Sequence, residues 1–454
     1  MGKTIRYSIL ALALFAGFFL ALWPGPAPVV EIVPSRPGVG QAGTAVVVRV
    51  REGARGITGV RVEAHQNGAV TPLSERAFPP SSAWFWKNGE VETEVPVELG
   101  PETVPGLAEG QLTLRVEALG TGAWLRRPRA AIEELPLPVR LTPPQLEVIS
   151  RQNYAAQGGS GIVVYRVEAS VLEKGGLHGV EAGGSFFPGL PVPGGGDSER
   201  FALYGVPYDQ PSADGIRLAA EDPLGNRTTV SFVERYFPHP LKKDVIHLTA
   251  DFMNKVVPEI LSQAPELGDR GELLANYLAI NRELRAQNSE TLRELGGRSR
   301  ESFLWSGRFD PLPGSEATSS FADRRTYVFD GREVDQQDHL GFDLASVRGA
   351  PVPAANRGVV VLARYFGIYG NSVVLDHGAG LMSLYSHLSS IEAALDQEIE
   401  KGQVIGRTGQ TGLAGGDHLH FTLLVRGLPV NPVEWWDPMW VQDRVMAKLS
   451  VPRL

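Results

Sequence analysis

The sequence predicts a mainly β, multidomain protein: two β-sandwich modules, a helical connector and a C-terminal antiparallel β-sheet domain. Three observations predict it. Apolar and polar residues alternate at period two in short segments over most of the chain. Glycine and proline are abundant, at 52 and 34 residues, which suits turns and short strands better than a helical bundle. Helical spacing replaces the period-two pattern only between residues 241 and 302. At 454 residues the chain is too long for one ordinary domain.

Composition excludes several functions. The formal net charge is −8 and no basic cluster occurs beyond the extreme N-terminus, so nucleic acid is not an expected partner. Cysteine is absent, which removes disulfides, thiolate metal sites and thiol nucleophiles together.

Residues 1–27 read as an export signal or an N-terminal membrane anchor. Lys3 and Arg6 precede an apolar run over residues 9–23, which Pro24-Gly25-Pro26 ends. The run carries no clear small-x-small cleavage site, which favours a retained anchor, although it is shorter than the roughly 20 residues of a comfortable span. On either reading the body of the protein is exported, to the periplasm or cell surface, and the anchor reading tethers it to the cytoplasmic membrane.

Residues 28–142 form the first sandwich. Residues 44–50 are a β-branched run, and Val60-Arg61-Val62-Glu63-Ala64 alternates strictly. Trp84-Phe85-Trp86-Lys87-Asn88-Gly89-Glu90 ends a strand in an Asn-Gly turn signal, after which Val91, Thr93, Val95 and Val97 share a face. Leu112, Leu114 and Val116 continue the pattern. Evenly spaced strands of this kind predict an immunoglobulin-like sandwich without the antibody cysteine pair. Trp84 and Trp86 read as hairpin or core residues rather than a sugar platform.

Residues 143–240 form a second Ig-like module after Pro143-Pro144. Its strands are Val163-Val164-Tyr165-Arg166-Val167 and Phe201-Ala202-Leu203-Tyr204, then a strand, a turn through Asp222 and Gly225-Asn226, and a strand at 228–232. A spacer or docking role is the expectation for it.

In the connector, residues 241–302, Leu248, Phe252, Val256, Ile260 and Leu261 recur at helical spacing, with Pro258 expected to kink or restart the helix. Leu273, Leu274, Tyr277, Leu278, Asn281 and Leu284 make a second stripe. A packed connector is the plain reading, and a cover or substrate-positioning element the sharper one.

Residues 303–440 return to β, with consecutive strands near 359–362, 372–375, 381–387, 404–406 and 418–425 expected in one antiparallel sheet. Trp435, Trp436 and Trp440 read as a hydrophobic seal, and residues 441–454 as a tail without an assigned role.

This last domain carries the chemistry. Of nine histidines, four fall in His339-Leu340-Gly341-Phe342-Asp343, Tyr385-Ser386-His387 and His418-Leu419-His420. Without cysteine, imidazole plus carboxylate is the strong way to hold a transition metal. In a strand, His418 and His420 point the same way while Leu419 enters the core. His339 and Asp343 share a face around Gly341, which leaves room for a bend or close approach. One aspartate and two histidines make a three-ligand zinc site with an open fourth position. Spacing alone does not decide which two histidines join Asp343. His377, in Asp376-His377-Gly378, reads as structural.

The strings resemble a known family. H-L-G-F-D-L-A at 339–345, G-A-P-V-P-A-A at 349–355 and Y-G-N-S-V-V-L-D-H-G at 369–378 are similar to the lysostaphin/LytM-type zinc metallopeptidase domain. So are L-Y-S-H-L at 384–388, G-Q-V-I-G-R-T-G-Q-T-G at 402–412, H-L-H-F at 418–421 and N-P at 431–432, a match over about residues 319–432. The resemblance implies Zn2+ ligation by His339, Asp343 and His420, with His387 and His418 as catalytic histidines beside the metal, their division of labour open. It implies a zinc endopeptidase acting on peptidoglycan stem peptides, with other cell-wall enzymes as further partners. The alternative is a non-catalytic peptidoglycan-binding activator of another wall hydrolase, against which the filled ligand positions argue. A third reading makes the sandwich modules adhesion or scaffold domains. Two departures from the family pattern, Phe321-Ala322-Asp323-Arg324 and Thr422, are expected to touch no ligand.

Overall fold

The computed structural model describes residues 2–22, 26–53, 55–79, 91–122 and 127–450. The protein is mainly β with antiparallel sheets dominating. It divides into two compact units, one of residues 1–145, 168–177 and 220–228, the other of residues 146–167, 178–219 and 229–454.

The first unit opens with a helix, Gly2–Leu22, whose described side chains are largely exposed. Among the described residues no helix is long and apolar enough to cross a membrane, so the expected anchor finds no support here. Two sheets follow. Val29–Pro34, Thr44–Arg51 and Glu92–Leu99 make one. Ala69–Ala77, Ile57–Gln66, Gly110–Gly120 and Ala130–Val139 make the other. Val46, Val48, Val50 and Val95 from the first join Val60, Val62, Leu112, Leu114 and Val116 from the second in one core. Period-two burial explains the pairing, since alternate residues of each strand point inward. Trp84, Trp86 and the Asn88-Gly89 turn lie outside the described residues. The same unit holds the Asp222 turn, in which Oδ1 accepts from the Leu224 and Asn226 amides at 2.9 Å each.

In the second unit the central element is a sheet of seven antiparallel strands in sequence. Their order is Glu316–Ser319, Phe342–Ala345, Leu419–Val425, Leu381–Leu388, Asn371–Gly378, Gly358–Tyr365 and Glu398–Ile399, with Leu428–Val430 added beside Leu419–Val425. Every residue of Leu381–Leu388 and Leu419–Val425 is buried, so both faces of the sheet centre are covered. Leu292, on the helix Arg285–Gly297, packs in one cluster with Val374, Met382, Leu384 and Leu424. The strand Val404–Arg407, expected in this sheet, instead joins Pro351–Pro353 and Ser390–Ile391 in a separate small sheet. Its burial on both of its central residues gave no period-two signal to place it.

A third sheet runs Lys243–His247, Asp323–Phe329, Arg332–His339, the first pair parallel and the second antiparallel. Next to it lies the helix Ala250–Gln263, where Thr249 caps the first turn by accepting from the Phe252 amide at 3.2 Å. Of the expected kink or restart at Pro258, the restart does not occur, and this helix continues through the proline. Buried Met253, Val256, Val257 and Ile260 share a core with Tyr277, Tyr327 and Ile368, and that packing outweighs the lost backbone bond. The second stripe forms Leu273–Ala279 and Arg285–Gly297, joined by a π-helical turn at Ile280–Leu284. Trp435 is fully buried against Trp305, Phe309 and Trp440, with ring centroids 5.3–5.6 Å apart. Residues after Trp440 continue as short helical turns, and buried Lys448 there donates to the Asn153 side chain and the Ile162 carbonyl.

Candidate metal centre

The ends of three strands converge on one point. His339 closes Arg332–His339, Asp343 lies in Phe342–Ala345, and His420 lies directly opposite Asp343 in the antiparallel register. Alternation along Leu419–Val425 puts His420, Thr422 and Leu424 on one face, so the same strand supplies a donor and the core beneath it. Gly341 is what lets the pieces close. A Cβ on it would stand 2.5 Å from Thr422 Oγ1 and 2.6 Å from His420 Nε2.

His339 Nε2, Asp343 Oδ1 and His420 Nδ1 form a near-equilateral triangle with sides of 3.0, 3.0 and 2.9 Å. All three residues are buried. The outer partners decide where the protons are. His339 Nδ1 lies 3.0 Å from the Ser320 carbonyl, which only accepts, so the proton sits on Nδ1 and Nε2 carries a lone pair. The Thr422 hydroxyl donates its single proton to the Leu340 carbonyl at 3.0 Å, and therefore accepts from His420 Nε2–H at 3.0 Å. That leaves His420 Nδ1 as a lone pair too. Three unprotonated donors, one of them anionic, thus face each other at contact distance. A shared cation satisfies that arrangement.

The charges of the neighbours agree. Burial opposes ionisation of Asp343, but His339, His418 and His420 outweigh it and hold the carboxyl well below its usual range. Its other oxygen, Oδ2, accepts from Arg325 Nη2 at 3.1 Å. Burial lowers the His420 imidazole to about 4, so it is neutral at physiological pH.

His387 and His418 stand beside the triangle, their rings 4.9 Å apart, with His387 5.7 Å from His420. His387 Nδ1–H donates to the Thr411 carbonyl at 2.8 Å, leaving Nε2 free to accept. Burial, then the neighbouring His418 and His420, hold the His387 pKa well below its ordinary value. Strand alternation alone would turn His387 away from Ser386, the residue paired with His420. A left-handed backbone, φ = 60°, redirects it, and strain of this kind in a non-glycine residue collects at functional sites. His418 Nδ1–H donates to the Gly416 carbonyl at 2.9 Å and Nε2 lies 3.5 Å from Asp343 Oδ1. Burial works against protonation of His418, yet the bond to Asp343 raises its pKa overall.

All five residues singled out in the sequence therefore meet in one place. His377 does not join them. Its two ring nitrogens are taken by the Arg357 carbonyl and the Ser383 hydroxyl at 2.7 Å each, and burial lowers it to about 4. The expectation that the two departures from the family pattern touch no ligand is corrected. Thr422 holds His420, and the Ala322 amide donates to the His339 carbonyl at 2.7 Å beside the Ser320 contact. Sequence reasoning also missed Arg325. The period of its strand carried a signal, because Asp323, Arg325 and Tyr327 share a face and Asp323 pairs with His339.

The triangle opens on a cavity of about 420 Å³. Its walls come from the metal strands and from the helical segment, which contributes Leu248, Phe252, Tyr277 and Arg285. Residues 241–302 are thus part of the site's enclosure.

Comparison with known proteins finds a matching family over part of the chain. Residues 337–432 match Peptidase family M23. The chain is 35% identical over 195 residues to the peptidoglycan DD-endopeptidase ShyA of Vibrio cholerae, 42% of each chain. It is 42% identical over 95 residues to the DD-carboxypeptidase/endopeptidase Mpg of Neisseria meningitidis, 21% of this chain and 22% of that one. The matches span less than half the length of these curated relatives. Among solved structures, the catalytic domain of the prophage-encoded M23 protein EnpA from Enterococcus faecalis is 30% identical. It covers 28% of this chain and 95% of that one, with a TM-score of 0.23. The chain carries, over residues 337–432, a peptidase family M23 domain.

Proposed function

We propose that the protein is a zinc-dependent endopeptidase that hydrolyses peptide cross-links of peptidoglycan during cell-wall remodelling. The observation that carries this reading is the triangle of unprotonated donors at His339, Asp343 and His420. Two imidazole nitrogens and one carboxylate oxygen are the donor set of a catalytic zinc that keeps a fourth position open. Bound there, zinc would supply Lewis acidity, lowering the pKa of water to about 7 and polarising the scissile carbonyl.

The chain's own residues do the rest. His387 Nε2, unprotonated and fixed through Nδ1, accepts the proton of the attacking water. His418, fixed by its Nδ1–H on the Gly416 carbonyl, donates from Nε2 to the developing oxyanion. Arg325 orients Asp343 through its Nη2 bond to Oδ2. The buried, left-handed backbone at His387 holds the base in place before substrate arrives.

The substrate class rests on the relatives, which are named for DD-endopeptidase activity, and favours D-alanyl–diaminopimelyl cross-links over glycine bridges. A wall substrate places the protein outside the cytoplasm, where other cell-wall enzymes are its further partners. Digestion of purified peptidoglycan by the zinc-loaded protein, with the products separated by chromatography and mass, tests the reading. Cross-linked dimers should fall as monomers rise, and a chelator should stop the change. A dimer fraction untouched by the zinc-loaded protein sinks it.

A further inference from the structure

We propose that Arg285 and Arg325 form an anion subsite in the cavity beside the metal centre, which takes a carboxylate of the substrate peptide. The inference rests on the endopeptidase reading and names the chemistry that the groove selects. Among the described residues lining the cavity, Asp343 is the single carboxylate, and it is already engaged by the donor triangle and by Arg325. Two guanidinium groups line the same cavity, so it carries an excess of positive charge before any metal is added.

Arg285 is presented rather than neutralised. Its Nε donates to the Asn281 carbonyl at 3.1 Å and its Nη2 to Asn281 Oδ1 at 2.6 Å. Asn281 is fully buried and its amide donates to Asp335 at 2.8 Å, which fixes the pair. Among the described residues no carboxylate lies within ion-pair distance of Arg285, and its Nη1 remains for a ligand. The π-helical turn at Ile280–Leu284 sets this geometry, shifting the helix register just before Arg285. Such turns recur at functional sites. Arg325 adds a second donor, since its buried Nε has no partner while Nη2 holds Asp343. Both arginines line the cavity with Tyr277, whose hydroxyl pKa burial raises and their positive charges oppose.

A carboxylate matches this pair because its two oxygens accept from guanidinium donors in a fixed plane. Leu248, Phe252, Ile368 and Leu413 line the rest of the cavity. The subsite therefore suits a carboxylate on an aliphatic stem, side-chain or terminal, close to the scissile bond. On this account the helical segment selects substrate as well as enclosing the site.

The test uses the zinc-loaded full chain and two synthetic cross-linked wall peptides, identical except that the carboxylates flanking the scissile bond are free in one and amidated in the other. Wild type should show a KM at least tenfold higher for the amidated peptide, with kcat little changed. Arg285→Gln should raise KM for the free peptide to the amidated value and leave the amidated peptide unaffected, while Arg285→Lys restores part of the difference. Equal KM for the two peptides in wild type overturns the proposal, as does an equal loss on both peptides in Arg285→Gln. If neither peptide is cut, the endopeptidase reading fails. Calorimetric binding of the same pair then decides the subsite: binding that needs both free carboxylates and Arg285 supports it, and binding indifferent to either overturns it.

Discussion

Replacing Thr422 by valine removes one hydroxyl of nearly unchanged shape and tests how the donor triangle is tuned. In the native site the Thr422 hydroxyl accepts from His420 Nε2–H and donates to the Leu340 carbonyl, each at 3.0 Å. Valine leaves the imidazole N–H without an acceptor in a buried place, which costs about 1–3 kcal/mol. It also frees His420 to adopt the tautomer whose proton points into the triangle. A ring that must be returned to the binding tautomer weakens metal affinity by about the same energy, and 1.4 kcal/mol is about a factor of ten. The expected result is a loss of about 10–100-fold in zinc affinity, the range found when outer partners of metal ligands are removed. Competition with a chromophoric chelator measures it, and circular dichroism checks that the fold persists. Thr422→Ser keeps the hydroxyl and should recover most of the affinity. A Thr422→Val protein that binds zinc within threefold of wild type would refute the assignment of protons at the centre.

Two further predictions follow from the surroundings of the site. Gly341→Ala places a methyl 2.5 Å from Thr422 Oγ1 and 2.6 Å from the His420 ring, so His420 must move. Strain of about 1–3 kcal/mol is expected, and zinc titration should show at least tenfold weaker binding, whereas unchanged affinity would mean the strands part easily. Glu434, half-buried and accepting from the Ser160 amide, has its carboxyl raised by desolvation to about 7 from an ordinary 4.5. Its contribution to stability is therefore complete below about 4.5 and is lost as pH rises through about 7, a swing on the order of 3 kcal/mol. Thermal melting at pH 5.5 and pH 8 should show the wild type losing stability towards pH 8 and Glu434→Gln losing less. Parallel pH dependence in the two proteins would count against a protonated Glu434.

How much of this was legible in the sequence depends on whether neighbours in the chain remain neighbours in space. His418 and His420 are two apart, so strand geometry alone brought that pair to a face, whereas His339 and Asp343 lie on two strands, Arg332–His339 and Phe342–Ala345, brought together by the bend through Gly341. The first sandwich was legible for the same reason, because residues such as Val46, Val48 and Val50 alternate with outward-facing ones. His387 was legible only through the family strings, because a left-handed backbone defeats alternation at that residue. Leu381–Leu388 and Leu419–Val425 are buried on both faces, which erases the period that locates a strand's partner. The departure of Val404–Arg407 to another sheet was invisible on the same ground. Thr422 looked like a departure that touches no ligand, since a hydrogen bond between residues two apart on a strand depends on side-chain rotamers. The helical stripe of Leu273, Leu274 and Tyr277 showed that a helix forms but not that it closes the groove, because its partners Tyr327 and Ile368 lie far along the chain.

Metal content and wall digestion, measured on the same preparations of wild type, Asp343→Ala and His387→Ala, test the central claim most directly. The account predicts one zinc per chain in wild type and in His387→Ala, and none retained in Asp343→Ala. Muropeptide monomers should be released by wild type alone, with His387→Ala slower by about 10²–10⁴-fold. Zinc retained without Asp343, or wall digestion at the wild-type rate by either variant, would contradict it.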